Sequence, residues 1–539
     1  MGEKKRRAAA ASTGKRDDRP ALALAERARA LAIHGEFGPA LEELGRALEL
    51  APHLDALWAQ FGELIRFFRL RHPLHERMRA LLHRALEHPA VDPGNLVLPI
   101  ASAALSRPPE SVLREPLLLR LLQDAVVRDA QLEALISIER RHALEGDTVP
   151  LEVLVAIAHQ CFNTEYVLEE SDAEGAALTR LASSLERDAD YALYAAYRPL
   201  HTLLDAEHIA DRLATTSLAS LARRQILDPL EEKRLRGTIE SLGTSVGGVS
   251  AAVRDQYEAN PYPRWLRMQT RFDAAPFAEI VRQLFPGIEV KRGPVRILLA
   301  GCGTGQNAIA MAQRFTDCSV IAVDLSLASL AYAKRKTLEL GITNIVYRQA
   351  DLLALGSLGE RFQLVEASGV LHHLHDPLAG WRILAGLVEP GGFMRIGLYS
   401  ERGRRHFAHA RRFLAPRGFE ASSAGIRAAR AAIRAAGDDK LLARVARNED
   451  FYSLSGCRDM LFHVQERGFS LPEVATMLDS LALEFLGFEF DDSGLAATSY
   501  RARFPGDPLM RDLASWHRFE EDNPDSFSRM YEFWVRKPG

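Results

Sequence analysis

Four cysteines in 539 residues are too few and too scattered for a disulfide framework. Cys161, Cys302, Cys318 and Cys457 show no C-x-x-C spacing, which also removes the usual zinc patterns and suits a reducing cytoplasm. A surplus of charge is missing as well. A net charge of -3 gives no electrostatic case for nucleic acid or for an anionic membrane surface. No apolar run approaches the length of a membrane span. The N-terminal stretch MGEKKRRAAAASTGKRDDRP starts basic, but its alanine run is too short and too weakly hydrophobic for a signal peptide. A solvated, disordered tail is expected over residues 1–20. These absences point to a cytoplasmic protein with chain enough for two or three domains.

What is present centres on residues 295–324, VRILLAGCGTGQNAIAMAQRFTDCSVIAVD. Val295–Ala300 has the length and β-branched content of a buried strand. Gly301, Gly303 and Gly305 follow at alternate positions, and a helical pattern starts at Gln306. A second apolar strand ends on Asp324, about twenty residues beyond the glycines, where a carboxylate suits a ribose diol. Two frames compete for the loop. Gly303, Gly305 and Ala308 formally fit the dinucleotide pattern, and Asp324 permits an NAD-dependent oxidoreductase. The glycine that directly follows the strand is Gly301, however, and from there the third dinucleotide position falls on Gln306. The loop therefore reads as G-x-G-x-G.

At these residues the chain resembles the class I methyltransferases that use S-adenosylmethionine, whose first motif is written this way. Later segments keep the resemblance in order. A strand over residues 344–349 leads to Asp351, which matches the family's acid that bonds the adenine amino group. Phe362–Ala367 runs into Ser368-Gly369-Val370-Leu371-His372-His373 and Asp376-Pro377, similar to the family's fourth motif, with Gln363 in place of its usual acid. Glu389-Pro390-Gly391-Gly392 turns into a fifth strand. Strands over residues 483–490 and 530–537 resemble the antiparallel pair that ends such sheets. The resemblance implies a doubly wound α/β sheet of seven strands over residues 266–539, with S-adenosylmethionine as cofactor. It implies a cofactor set of Gly301, Cys302, Gly303, Gly305, Asp324, Leu325, Asp351, Leu352 and Gly369, and no metal.

Residues 21–237 read as an all-α domain. Ala40, Leu44, Ala47 and Pro52, then Trp58, Phe61 and Gly62 one period later, resemble a degenerate tetratricopeptide pair. Such hairpins stack into a solenoid. Its groove is expected to take a protein or peptide, or the domain serves as a scaffold or builds a homodimer. Residues 238–265 read as a linker ending in an aromatic segment, QYEANPYPRW. Its Tyr257, Tyr262 and Trp265 are expected to cover the cofactor cleft, where rings near a sulfonium gain roughly 0.5–2 kcal/mol. An arginine-rich helical insertion over residues 400–467 is expected above the strand ends, where substrates bind in open α/β sheets. Most of its arginines read as a solvated face. Phe451-Tyr452-Ser453, Arg458-Asp459 and Phe462-His463 are its better pocket candidates, and Tyr399 just before it is a further substrate or lid candidate. Consecutive histidines on a turn seldom converge on a metal, so His372 and His373 read as active-site wall, one of them a candidate base. The function expected is methyl transfer to an acceptor not legible in these residues. A methyltransferase fold that binds cofactor without reacting is the alternative.

Overall fold

The computed structural model describes residues 17–243, 247–268, 274–490 and 495–539. The tail expected over 1–20 lies, up to Arg16, outside them. The chain divides into two compact units, one of residues up to 136 with a short segment beginning at Leu266, the other of the remainder.

The first unit is helical. Arg19–Ile33 and Phe37–Leu50 form one hairpin, followed by Asp55–Ile65 and Glu76–Glu87. Ala40, Leu44, Ala47, Trp58 and Phe61, the residues that suggested a repeat, are fully buried. The Trp58 indole donates to the Pro52 carbonyl at 2.9 Å and stacks on His88. Arg267 donates to the carbonyls of Leu86 and His88 at 2.6 and 3.0 Å, which ties the short later segment to these helices.

In the second unit the helices from Leu151–Asn163 to Asp228–Arg236 belong with the sheet. The boundary thus falls near residue 136 and not near 238. The reason is a set of polar contacts that patterning does not reveal. Arg335 pairs with Glu232 at 2.9 Å, Arg430 donates to the Val167 carbonyl at 3.0 Å, and Arg427 donates to that of Tyr166 at 2.6 Å. The insertion's arginines are therefore largely structural. Arg411 and Arg404 share Glu466.

The sheet has eight strands: β1 (Glu240–Ser241), β2 (Val295–Ala300), β3 (Cys318–Asp324), β4 (Ile345–Gln349), β5 (Phe362–Ser368), β6 (Val388–Leu398), β7 (Glu484–Phe488) and β8 (Tyr531–Arg536). Their order is β1-β4-β3-β2-β5-β6-β8-β7. β8 pairs antiparallel with β6 and β7, and the other pairs are parallel. The seven expected strands are present, and the eighth is β1, drawn from the stretch read as a linker. The same stretch also holds a helix, Gly248–Ala259. The Glu-Pro-Gly-Gly turn sits within β6, where the register against β5 shifts between Phe362 and Leu364. Both sheet faces are covered, as a parallel sheet requires. Ile297 and Leu299 of β2 point into one core, and Leu298 and Ala300 into the other.

Gly305 shows why the sequence narrows at the end of the loop. Its φ is +82°, and an added Cβ would lie 2.5 Å from Ala333 Cβ and 2.9 Å from the Tyr347 hydroxyl. Gly305→Ala is expected to destabilise the unit by roughly 1–3 kcal/mol through overpacking and strain. Urea denaturation checks this, and an unchanged midpoint would refute it.

Candidate functional site

The strand order reverses at β2, between β3 and β5, and the carboxyl ends of β2 to β6 open into a cavity of about 470 Å³. Ligands bind at such switch points in open α/β sheets. Gly301, Cys302 and Gly303 line it after β2, Asp324 and Leu325 after β3, Asp351 and Leu352 after β4, Gly369 and His373 after β5, and Tyr399 after β6. Gly305 does not. It belongs to the packing described above, a correction to its expected place in the cofactor set.

Asp324 holds the glycine loop as well as facing the cavity. One carboxylate oxygen accepts the Gly303 N–H at 2.8 Å and the other the Ser326 N–H at 2.9 Å. Burial pushes its carboxyl above the usual range, opposed by these N–H donors. Burial also pushes the Cys302 thiol up, so it is a neutral wall and not a nucleophile. Asp351 accepts the Leu353 N–H at 2.9 Å.

The aromatic segment closes over this loop. An added Cβ on Gly303 would stand 2.8 Å from the Tyr262 carbonyl oxygen. Tyr257 and Tyr262 are among the residues that line the cavity, and Trp265 is not. Its indole N–H donates to the Thr304 carbonyl at 3.1 Å, and its ring packs edge-on to Tyr332 beside the Lys336 ammonium. Trp265 is an anchor because the one donor on its ring is spent on the glycine loop. Glu258, which the sequence reading passed over, accepts the N–H groups of Leu327 and Ala328 and caps the helix Leu327–Glu339.

The other end of the cavity is built by the insertion. Asp450, Asp459, Arg404 and Phe407 line it, together with His373 and Tyr399. The Tyr257 hydroxyl donates to Asp459 at 2.7 Å and lies 3.1 Å from His463 Nε2, and the Tyr262 hydroxyl donates to Asp450 at 3.0 Å. Asp450 and Arg404 were missed as pocket residues. The signal available was weak, an acid beside Phe451-Tyr452 and one arginine among many. Three expected residues lie elsewhere. Tyr452 is buried against Phe451 and does not line the cavity. Arg458 donates to the side chain of Asn260 at 2.5 Å. His372 is fully buried with its ring 3.6 Å from that of Tyr399, outside the cavity lining, and among the described residues neither ring nitrogen has a hydrogen-bond partner.

His373 is the histidine that faces the cavity. Its Nδ1 lies 2.8 Å from the Gln465 carbonyl oxygen, which can only accept, so Nδ1 carries the proton and Nε2 the lone pair. Burial holds its pKa below the ordinary 6.5, so the ring is neutral at pH 7. His373, Asp459 and His463 bring their donor atoms within 4.8 Å of one another. The two rings stack 3.8 Å apart at 16°, however, so their in-plane lone pairs do not meet at one metal position. His463 Nδ1 accepts the Gln465 N–H at 3.0 Å, which puts its proton on Nε2 toward the Tyr257 oxygen. The cluster is a hydrogen-bond network.

Burial and the charge of Asp459 push Asp450 up to about 6, from an ordinary 3.8. A carboxyl raised by folding costs stability as pH rises from its unfolded to its folded value, because the folded state then holds the extra proton. Asp450→Asn is therefore expected to stabilise the protein by about 1–2 kcal/mol above pH 6, allowing for hydration of the cavity, and by little near pH 4. Denaturant melts at the two pH values check it. A gain independent of pH would contradict this.

Residues 297–392 match the model of the methyltransferase domain family. Those residues form a class I S-adenosylmethionine-dependent methyltransferase domain. Among curated relatives, an uncharacterised protein of Synechococcus is 27% identical over 287 residues, 50% of this chain and 67% of that protein. A ubiquinone biosynthesis O-methyltransferase of Pseudomonas fluorescens is 32% identical over 130 residues, 24% of this chain and 55% of the relative. One of Alkalilimnicola ehrlichii is 36% identical over 115 residues, 21% and 44% of the two chains. The chain thus spans about half the length of these O-methyltransferases. Among solved structures, PKMT2 from Rickettsia typhi covers 48% of this chain and 52% of its own, at 16% identity and a TM-score of 0.38.

The methyltransferase domain takes S-adenosylmethionine as cofactor, and the residues present fit it. Gly301 and Gly303 line the cavity, and at Gly369 nothing lies within 4 Å of where a Cβ would stand, which leaves room for a ligand against the backbone. Asp324 keeps lone pairs beyond its two N–H contacts for a ribose diol. Asp351, Leu325 and Leu352 line the same cavity, and their carboxylate and apolar side chains would suit an adenine and its amino group. When bound, the cofactor supplies an electrophilic methyl on a positively charged sulfur. Among the described residues no helix is long and apolar enough to cross a membrane.

Proposed function

We propose that this protein transfers a methyl group from S-adenosylmethionine to a hydroxyl oxygen of a small-molecule acceptor bound in the same cavity. The observation that carries the reading is His373, whose outward Nε2 is an acceptor fixed by the Gln465 carbonyl, in one cavity with the cofactor cradle. A base within reach of a hydroxyl contributes typically about 10²–10⁴ in rate. The cavity volume lies in the range of small-molecule sites, roughly 300–1,000 Å³. The O-methyltransferase relatives favour oxygen over nitrogen or sulfur. In this reading His373 takes the hydroxyl proton at Nε2 while Tyr257 and Tyr262 exclude water.

The deciding experiment supplies cofactor labelled with carbon-13 in its methyl group to an extract of cells lacking the protein. A methoxy carbon resonance in the product supports the reading, and an N-methyl or S-methyl resonance overturns it. The pH profile gives a second check. Because the pKa of His373 is depressed, its base form persists below the ordinary 6.5, so kcat is expected to be flat near pH 7 and to fall only below pH 6.5. A limb centred above pH 7 would exclude His373 as the base.

A further inference from the structure

Asp450 and Asp459 line the acceptor end of the cavity, each bonded by a neutral tyrosine hydroxyl. Among the described residues, neither carboxylate has a Lys or Arg partner. The two arginines that line the cavity are engaged elsewhere: Arg404 pairs with Glu466 and lies over the Tyr399 ring, and Arg529 pairs with Glu449. Glu532, the remaining acid of the lining, is held by Arg395. The imidazole beside Asp459, His463, is neutral, its pKa pushed down to about 2, chiefly by burial and further by the charge of Arg411. The charge of Arg404 reaches both carboxylates but is shared with Glu466, and two enclosed carboxylates without an ion-pair partner of their own are costly unless a ligand supplies one. A third group points the same way. His373 is only 6% exposed, and among the described residues its Nε2 has no hydrogen-bond partner. Tyr257 and Tyr262 add aromatic rings to the lining of the same space, the surroundings that favour an ammonium.

We infer that the acceptor molecule carries a protonated amine, seated between Asp450 and Asp459 under the rings of Tyr257 and Tyr262, while its hydroxyl reaches His373. This rests on the hydroxyl-methylation reading and adds the substrate class, a cationic amino-alcohol or aminophenol. The ammonium donates to the two carboxylates, and Arg404 disfavours a second positive group deeper in the pocket. An anionic acceptor, which an arginine-rich insertion would suggest, is disfavoured because those arginines are spent on Glu466, Glu521, Asp525 and backbone carbonyls.

The test is calorimetry on the full chain with saturating S-adenosylhomocysteine, using p-cresol, tyramine and 4-hydroxyphenylacetate as probes that differ in charge. Tyramine is expected to bind about tenfold tighter than p-cresol or better, and 4-hydroxyphenylacetate more weakly than either. Asp450→Asn and Asp459→Asn should each erase most of tyramine's advantage and leave p-cresol within about twofold. Melting with S-adenosylhomocysteine verifies that each variant is folded, and the wild-type comparison needs no variant. An amine that binds no tighter than p-cresol, including no binding of either, overturns the inference. So does an advantage that survives both substitutions. If the advantage is absent and Asp450→Asn instead weakens S-adenosylhomocysteine, the pair serves the cofactor's own ammonium and the inference fails. None of these readouts needs turnover, so failure here is distinct from failure of oxygen methylation.

Discussion

His373→Ala is expected to lower kcat by about 10²–10⁴ while leaving S-adenosylmethionine affinity within about twofold. The split follows from position. His373 lines the cavity with Nδ1 tied to the Gln465 carbonyl, and among the described residues Nε2 has no hydrogen bond to lose. His373→Gln keeps an acceptor of similar reach but not the basicity, so it should remain slow and lose the acid limb of the pH profile. His372→Asn is the control. His372 stacks on Tyr399 outside the cavity lining, so its loss should lower stability more than the pH dependence of kcat changes. Steady-state kinetics with measured cofactor affinity separates the cases. A His373→Ala variant with near wild-type kcat would leave the chemistry to alignment alone.

Asp324→Ala is expected to weaken cofactor binding by roughly 1.5–3 kcal/mol, about 10- to 150-fold, as the charged partner of a ribose diol is lost. The structure adds a second cost. The same carboxylate accepts the Gly303 and Ser326 N–H groups, so the variant also loosens the glycine loop and lowers the melting temperature without cofactor. Asp324→Asn retains an oxygen for one of those donors and should fall between alanine and wild type in both readouts. Calorimetry and melting with and without cofactor check this. A loss of stability at unchanged affinity would reduce Asp324 to a loop anchor.

The cofactor half of the site was legible in the sequence, because strand, glycine loop, helix and terminal acid are consecutive or nearly so. Asp324, Asp351 and Gly369 end their strands, and chain order alone puts those ends at one rim. Gly305 shared the same motif, yet its glycine is demanded by Ala333 and Tyr347, which no local pattern displays. Trp265 was misplaced for a related reason. An aromatic near a cleft can face it or anchor beside it, and the Thr304 carbonyl decides. The acceptor half was hardly legible. Asp450, Asp459 and His463 meet Tyr257 and Tyr262 across roughly two hundred residues of chain, as tertiary contacts with no period. The helical segments after residue 136 were assigned with the N-terminal helices on composition, since arginine contacts to carbonyls leave no mark in hydrophobic spacing.

The measurement that tests the central claim most directly is transfer of labelled methyl from S-adenosylmethionine into an extract of cells lacking this protein, with wild type and His373→Ala in parallel. The account predicts label in the small-molecule fraction with wild type and little with the variant. Label in the protein fraction, or equal label with both proteins, would contradict it.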